Sequence, residues 1–531
     1  MSILVIIMGL PLIVALALSL VPADKRAVFR WGTMGATLGS LLVALWVFVQ
    51  FNSQLETDSL LWDKPEEQSD VQALENLYGY AFTTDPMPWV ESLNISFYLG
   101  VDGISVVLVL MGALVAFAAA CCAGEIQARE KEFAILLLLM TGGILGAFMA
   151  LDVFLMYFLH ELALVPTFIM IGIWGRGEKR DYAAYKITLY LSLGALITLA
   201  GMLLLYQQYG TFNLLTMLDH AKHSGSIITN QNLIFALLMF GLGILVSLRP
   251  FHTWAPLGYG AAPTATAMMH AGVIKKFGLF MLIRVALPLV PEGAANWLPV
   301  LAWLCLGNIL YCGLVAMRQR DLNQLIGNSS VAHMGFVFLG IASLTTLGIT
   351  GAVMVMAAHG LLAALAFGLS GWLYTHARTL DMDKVNGLLR GMPFWGTLMM
   401  MALFAGCGLP GFANFAGEIT VFFGAWDTAN PSATAKHVLD PYAGHFRVIT
   451  IIAIWAALVI GAVYMLRAIR SLLHGPREDD APAVEDVPGW KRLPFALLVS
   501  VLLLFGFFPK LITEKINTAA QHIQQAVQKN R

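Results

Sequence analysis

Residues 241–276 read GLGILVSLRPFHTWAPLGYGAAPTATAMMHAGVIKK. The stretch begins as an apolar helix, breaks at Arg249-Pro250 and restarts through Trp254. It turns at Pro256 and Pro263, then enters a second apolar helix that carries Lys275 and Lys276. Proline removes a backbone donor and clashes with the preceding turn. In hydrocarbon each freed backbone group costs several kcal/mol, so a broken helix survives only where protein or water satisfies it. An ammonium at that depth needs a partner or a water path. Two costly features side by side predict that the chain holds an ion route here.

The rest of the chain has the composition of a membrane protein. It has 531 residues, 58% hydrophobic and only 12% charged, and its mean hydropathy is +0.75. Soluble domains carry about 25% charged residues. The net charge of -1 argues against nucleic acid as a partner. The five cysteines lie in apolar runs without C-x-x-C spacing, so they read as small packing residues rather than metal or Fe–S ligands. The first apolar run, Ile3–Leu20, lacks a basic leader and a small-residue cleavage site, and is expected to remain as a span.

Apolar runs of bilayer length recur to give about fourteen spans, which predicts an all-α polytopic membrane protein. Residues 1–125 hold spans 1–3 and an acidic external loop, Asn52 to Ser96. Residues 126–290 hold spans 4–8, and 291–470 hold spans 9–13. Residues 471–531 comprise the charged loop Glu478–Asp486, span 14 and an amphipathic segment, Leu511–Lys529, expected at the interface or along a partner. Most lysines and arginines fall in the loops after odd-numbered spans: Lys25, Arg26 and Arg30, Arg176, Lys179 and Arg180, Arg467 and Arg470. The positive-inside rule makes these loops cytoplasmic and puts both termini on the external face of a bacterial inner membrane. Span 12 is broken at CGLPGFANFAGE as span 7 is broken at LRPFHTWAP. Interrupted helices in corresponding positions predict two inverted five-helix repeats around a transport route.

Ionisable residues within spans form a short set. Glu161, Lys276, His333, His359 and Glu418 sit near the middle of spans 5, 8, 10, 11 and 12. Intramembrane carboxylates and lysines mark ion paths or their counter-ions, and imidazole suits a proton relay. Acids and bases alternating at one depth predict a hydrated axis along which protons hop. Lys186, Arg249, His252, His270 and Lys275 are secondary candidates. Each also has a structural reading, Lys186 as a snorkelling side chain and His252 as a cap on the break. Lys275 and Lys276 point about 100° apart, so one alone can face a given axis. No nucleotide-binding glycine loop or haem-ligand pattern accompanies the set, so any driving energy must arrive from a partner protein.

At this point the motifs HELALVP (160–166), residues 249–276, NQLIGNSSVAHMGFVFLG (323–340), MAAHGL (356–361) and GLPGFANFAGE (408–418) resemble the antiporter-like membrane subunits of respiratory complex I. The similarity covers about residues 95 to 470 and is strongest to the subunit M, or mitochondrial subunit-4, type. The resemblance implies a membrane-arm subunit of a proton-translocating NADH–quinone oxidoreductase. It would have no redox site of its own, with FMN, Fe–S clusters and quinone on partner subunits and other antiporter-like subunits as neighbours. It also implies a route through Glu161, Lys276, His333, His359 and Glu418. The family's span 7 lysine, five residues before the proline of its break, falls on Leu245. Glu161 therefore lacks the counter-charge the family pairs with it: either Lys275 or Arg249 substitutes, or the subunit conducts differently, or it does not pump. Alternative assemblies for such a chain are a multisubunit cation/proton antiporter, a membrane hydrogenase or an inorganic-carbon pump, and a third reading is a non-conducting spacer.

Overall fold

Long helices follow from the solvent, because hydrocarbon offers no partner to an open N–H or C=O. In the computed structural model, which describes residues 2–60, 70–223, 229–430, 437–474 and 484–529, most of the chain is helical. Ten of the described helices are long and apolar enough to cross a membrane. Shorter apolar helices occur at Ile3–Ser19, Gln231–Val246 and Pro393–Gly406. The last two are first halves of broken rods, continued by Trp254–Ala261 and Ala413–Ala429.

Acidic and hydroxyl side chains start several helices. Asp102 and Ser105 form a reciprocal capping box at the head of Gly103–Cys122. Asp152 accepts from the backbone N–H groups of Phe154 and Leu155, and Asp321 from that of Gln324. Burial pushes both carboxyls above the ordinary carboxylate range, against the pull of those backbone donors.

Two helices, Leu322–Ser343 and Thr346–Ala377, form the centre, and every residue of their most apolar windows is buried. By contrast only 44% and 39% of the corresponding windows of Arg26–Glu56 and Arg180–Tyr209 are buried, so these helices turn a face outward. His333 and His359 thus lie on the two most enclosed of the ten long candidate spans.

The all-α expectation meets one exception. Part of the acidic stretch 52–96 forms an antiparallel hairpin, Met87–Val90 with Ile95–Phe97, while helix Arg26–Leu60 and a short helix Asp70–Leu77 take up other parts. Residues 61–69 lie outside the described residues, as does most of the charged loop Glu478–Asp486. The amphipathic tail also differs from expectation. Helix Lys510–Lys529 lays its apolar face on this chain itself, against Gly103–Cys122 and Thr346–Ala377. Asn517 accepts from Thr350 at 2.9 Å, and Gln524 accepts from the Thr346 backbone N–H at 3.1 Å. Gly103 permits this approach, since a Cβ there would lie 1.7 Å from the Lys515 carbonyl oxygen. Beside it the buried Arg284–Asp102 ion pair, 3.0 Å, ties the interrupted helix bearing Lys276 to the same end of the molecule.

Candidate functional site

The first break is satisfied by side chains rather than left open. Helix Gln231–Val246 ends at Ser247, in the left-handed region at φ 74°. Trp254 donates its indole N–H to the Ile244 carbonyl at 3.0 Å. Asn308, on the span after the lysine-bearing one, accepts from the Arg249 N–H at 2.7 Å and donates to the Ser247 and Val331 carbonyls at 3.2 and 3.3 Å. One amide therefore stitches the break to two neighbouring helices.

After the break, residues His270–Ile274 form a π-turn, with Lys275 N–H bonded to the His270 carbonyl. Such turns rotate the residues beyond them and recur at functional sites. Here the rotation sends the two lysines to different partners. Lys275 Nζ donates to Ser330 Oγ at 2.9 Å and lies 5.5 Å from the Tyr259 ring centre. Lys276 Nζ donates to the Ala271 carbonyl at 2.5 Å and to His359 Nδ1 at 3.0 Å. Both lysines are buried.

A glycine pair sets the second contact. A Cβ on Gly360 would fall 2.8 Å from the Gly272 carbonyl oxygen, and one on Gly272 would fall 3.0 Å from that of Gly360. The two backbones touch one turn before Lys276 and directly beside His359. Gly360→Ala is expected to push them apart at a cost of about 1–3 kcal/mol. The thermal midpoint of the assembled complex should fall and proton transfer should fall with it; an unchanged midpoint with full transfer would refute the spacing role.

From His359 the line continues. Its ring lies 5.4 Å from that of His333. His333 Nδ1 faces the Ser329 carbonyl at 2.7 Å, and Nε2 faces the Gly406 carbonyl at 3.0 Å and Glu418 Oε1 at 3.7 Å. A neutral imidazole has one N–H and satisfies one of these carbonyls; the doubly protonated ring satisfies both. Acceptors for both ring nitrogens are therefore in place. The Gly406 carbonyl is free because helix Pro393–Gly406 ends there, before Gly408 and Gly411 at φ 70° and 103°. The second break thus supplies an acceptor to the histidine and seats Glu418 on the helix that follows.

Two cavities of about 20 Å³ flank His333, one toward His359 and Ser330 and one toward Glu418, Cys407 and Tyr464. Each has room for about one water. Ser329 Oγ is 3.1 Å from the Tyr464 hydroxyl, extending the polar lining.

The predicted residues thus divide. Lys276, His359, His333 and Glu418 form a contiguous buried line. Glu161 stands at its edge, its side chain 28% exposed and its Oε1 3.3 Å from His160 Nδ1. His160 stacks on Phe277 at 4.0 Å, the residue after Lys276. Among the described residues neither proposed substitute pairs with Glu161: Lys275 is held by Ser330, and Arg249 lies over the Tyr311 ring at 4.4 Å. His252 also packs on Tyr311 at 5.4 Å, and His270 stacks on Trp254 at 5.5 Å. Lys186 sits between the rings of Tyr182 and Tyr190, at 5.7 and 5.9 Å. Leu245 is buried at 2% exposure. Asn308, Ser329, Ser330 and Tyr464 also line the site, and as neutral side chains they carry no charge signal in the sequence. A signal for Asn308 lay in the break itself, whose open backbone groups demand an amide partner.

Comparison with known proteins gives consistent relatives. Residues 150–438 match the family model described as NADH:quinone oxidoreductase/Mrp antiporter, TM. The chain is 33% identical to NAD(P)H-quinone oxidoreductase chain 4 1 of Synechococcus elongatus over 98% of this chain and 91% of that one. It is 30% identical to the chloroplastic chain 4 of Angiopteris evecta, covering 98% of each. Among solved structures, a chain of respiratory complex I from Thermus thermophilus superposes with a TM-score of 0.81 at 26% identity, over 99% of both chains. A chain of the Mrp complex from Dietzia sp., 18% identical, shares the fold with a TM-score of 0.77 over 99% of this chain and 100% of that one.

Proposed function

Because this chain belongs to the NADH:quinone oxidoreductase/Mrp antiporter family of membrane subunits, we propose that Lys276, His359, His333 and Glu418 carry its protons. The chain is a proton-translocating membrane subunit of the complex I type. The observation that carries the route is the unbroken succession of contacts, 3.0 Å from Lys276 to His359, 5.4 Å between the histidine rings and 3.7 Å from His333 to Glu418. The Lys276 ammonium gives a proton to His359 Nδ1. A water in the cavity between the rings bridges His359 to His333. His333 then passes its Nε2 proton to Glu418, and the emptied lysine accepts the next. The route transports charge without oxidising or reducing any group, so FMN, Fe–S clusters and quinone reside on other subunits.

The architecture behind the route is about fourteen spans in two inverted repeats. Corresponding features support the repeat. Asp152 caps one helix and bridges to Asn213; Asp321 caps its counterpart and bridges to Asp381. A π-turn follows the break in each half, at His270–Ile274 and Ala457–Gly461. Both termini lie on the external side, opposite the loops that hold most of the lysines and arginines. The direct neighbours are other antiporter-like subunits. A cation/proton antiporter assembly remains the second reading, because the matched family spans both kinds of complex; neighbouring genes for flavin and Fe–S subunits favour the first.

Vesicles containing the assembled complex test the route. Glu418→Gln keeps shape and removes the ionisable acceptor. The protons moved per electron pair should fall while electron transfer to an uncoupled quinone persists. Unchanged stoichiometry would make the chain a spacer.

A further inference from the structure

A further cavity lies away from the proton line. It measures about 390 Å³ and opens at the end of the molecule where the basic loops gather, between helices Arg26–Leu60, Gly103–Cys122, Thr346–Ala377 and Leu493–Phe507. That volume is in the range of small-molecule sites. Trp31 and Trp490 stack across its rim with ring centres 6.2 Å apart. Trp372 lies in its wall with Lys491 Nζ 5.2 Å from the ring.

The charges within the cavity do not cancel. Glu125, its carboxylate, is spent: one oxygen takes bonds from Arg176 at 2.6 Å and the Thr264 hydroxyl, and the other takes the Thr264 N–H at 2.7 Å. Arg30 reaches Glu130 at 3.0 Å through one guanidinium nitrogen and keeps others free. Lys491 has no carboxylate partner among the described residues. Below this basic mouth the wall becomes small and apolar, with Ala120, Gly368 and Phe495. The cavity thus joins a cationic rim, three indoles and an apolar floor, in the order a bilayer presents phosphate, interface and acyl chain.

We propose that this cavity is a binding site for a glycerophospholipid with an anionic headgroup. Its phosphate sits between Arg30 and Lys491, its glycerol against the tryptophans, and the first carbons of one chain enter the apolar floor. The site stands independently of whether the buried line conducts protons.

The test uses the assembled complex, stripped of loosely held lipid and titrated with phosphatidylglycerol, with phosphatidylcholine as the neutral-headgroup control, followed by native mass spectrometry. Phosphatidylglycerol should be retained in preference to phosphatidylcholine. Arg30→Gln and Lys491→Gln should each weaken that retention about fivefold. Gly124→Leu provides a steric arm: Gly124 lines the cavity and a Cβ there meets nothing within 4 Å, so the backbone accepts a side chain that narrows the cavity. It should abolish the retained lipid while proton transfer persists. A cryo-electron map in phosphatidylglycerol nanodiscs should show a phosphate between the two cations. Equal retention of both lipids, unaltered retention in all three variants, or a partner subunit's chain filling the cavity in the map would each overturn the assignment.

Discussion

Lys276→Met lowers proton translocation by the assembled complex at least about tenfold, a loss of 1.4 kcal/mol or more from the transfer step. Methionine keeps the length and apolar bulk of the lysine stem, so the buried site stays filled. What disappears is an ionisable group that touches both the Ala271 carbonyl and His359. Without it His359 loses its donor, and the line begins one residue later with no proton to deliver. Lys275→Met is the matched control. It removes an ammonium one residue away that bonds Ser330 instead, and its effect on translocation should be smaller than that of Lys276→Met. Measured as acid uptake into vesicles at matched amounts of complex, equal losses in the two variants would show that the π-turn does not separate their roles.

The second large effect concerns a charge the chain lacks. Leu245→Lys puts an ammonium at a position that is 2% exposed. Unpaired, it costs several kcal/mol. Its helix packs on the lysine-bearing one, since a Cβ on Gly278 would lie 2.6 Å from Val246 and 2.7 Å from the Leu242 carbonyl oxygen. Phe277, beside Gly278, stacks on His160, which contacts Glu161. A lysine at 245 is therefore one helix layer from a carboxylate. Leu245→Lys alone is expected to assemble, with its charge paired to Glu161. Leu245→Lys combined with Glu161→Gln is expected to lose most of the assembled complex on native gels. The two changes should couple by about 1–3 kcal/mol. If the single variant assembles as poorly as the double, Glu161 does not face that position.

The sequence displayed the residues of the route but not their order of contact. Membrane-depth Lys276, His333, His359 and Glu418 stand out because such groups are rare in apolar runs. Likewise Arg249-Pro250 and Gly408–Gly411 announce the two breaks. Contact, however, is decided by helix rotation. Lys275 and Lys276 are equivalent in one dimension, and only the π-turn at 270–274 separates them. That turn has no proline to announce it. The amphipathic tail was visible by its pattern, yet the pattern carries no information on which surface it covers; Gly103, where a side chain would strike Lys515, is what admits it. Asn308 was missed for a related reason. A neutral amide looks like an ordinary core residue until the backbone groups it serves are located.

Helix Leu322–Ser343 has a further consequence for how the protein is made. Its mean hydropathy of 1.5 is the lowest of the ten long candidate spans, and its most apolar window is wholly buried in the folded chain. It carries Asn323, Asn328, Ser329, Ser330 and His333 on one rod. Leaving the insertion machinery alone, such a segment would expose these groups to lipid. It must therefore enter the bilayer in company, shielded by Thr346–Ala377 and the half already synthesised. The helix that carries His333 is thus also a checkpoint in biogenesis, and polar substitutions there should deplete the complex before they alter its turnover.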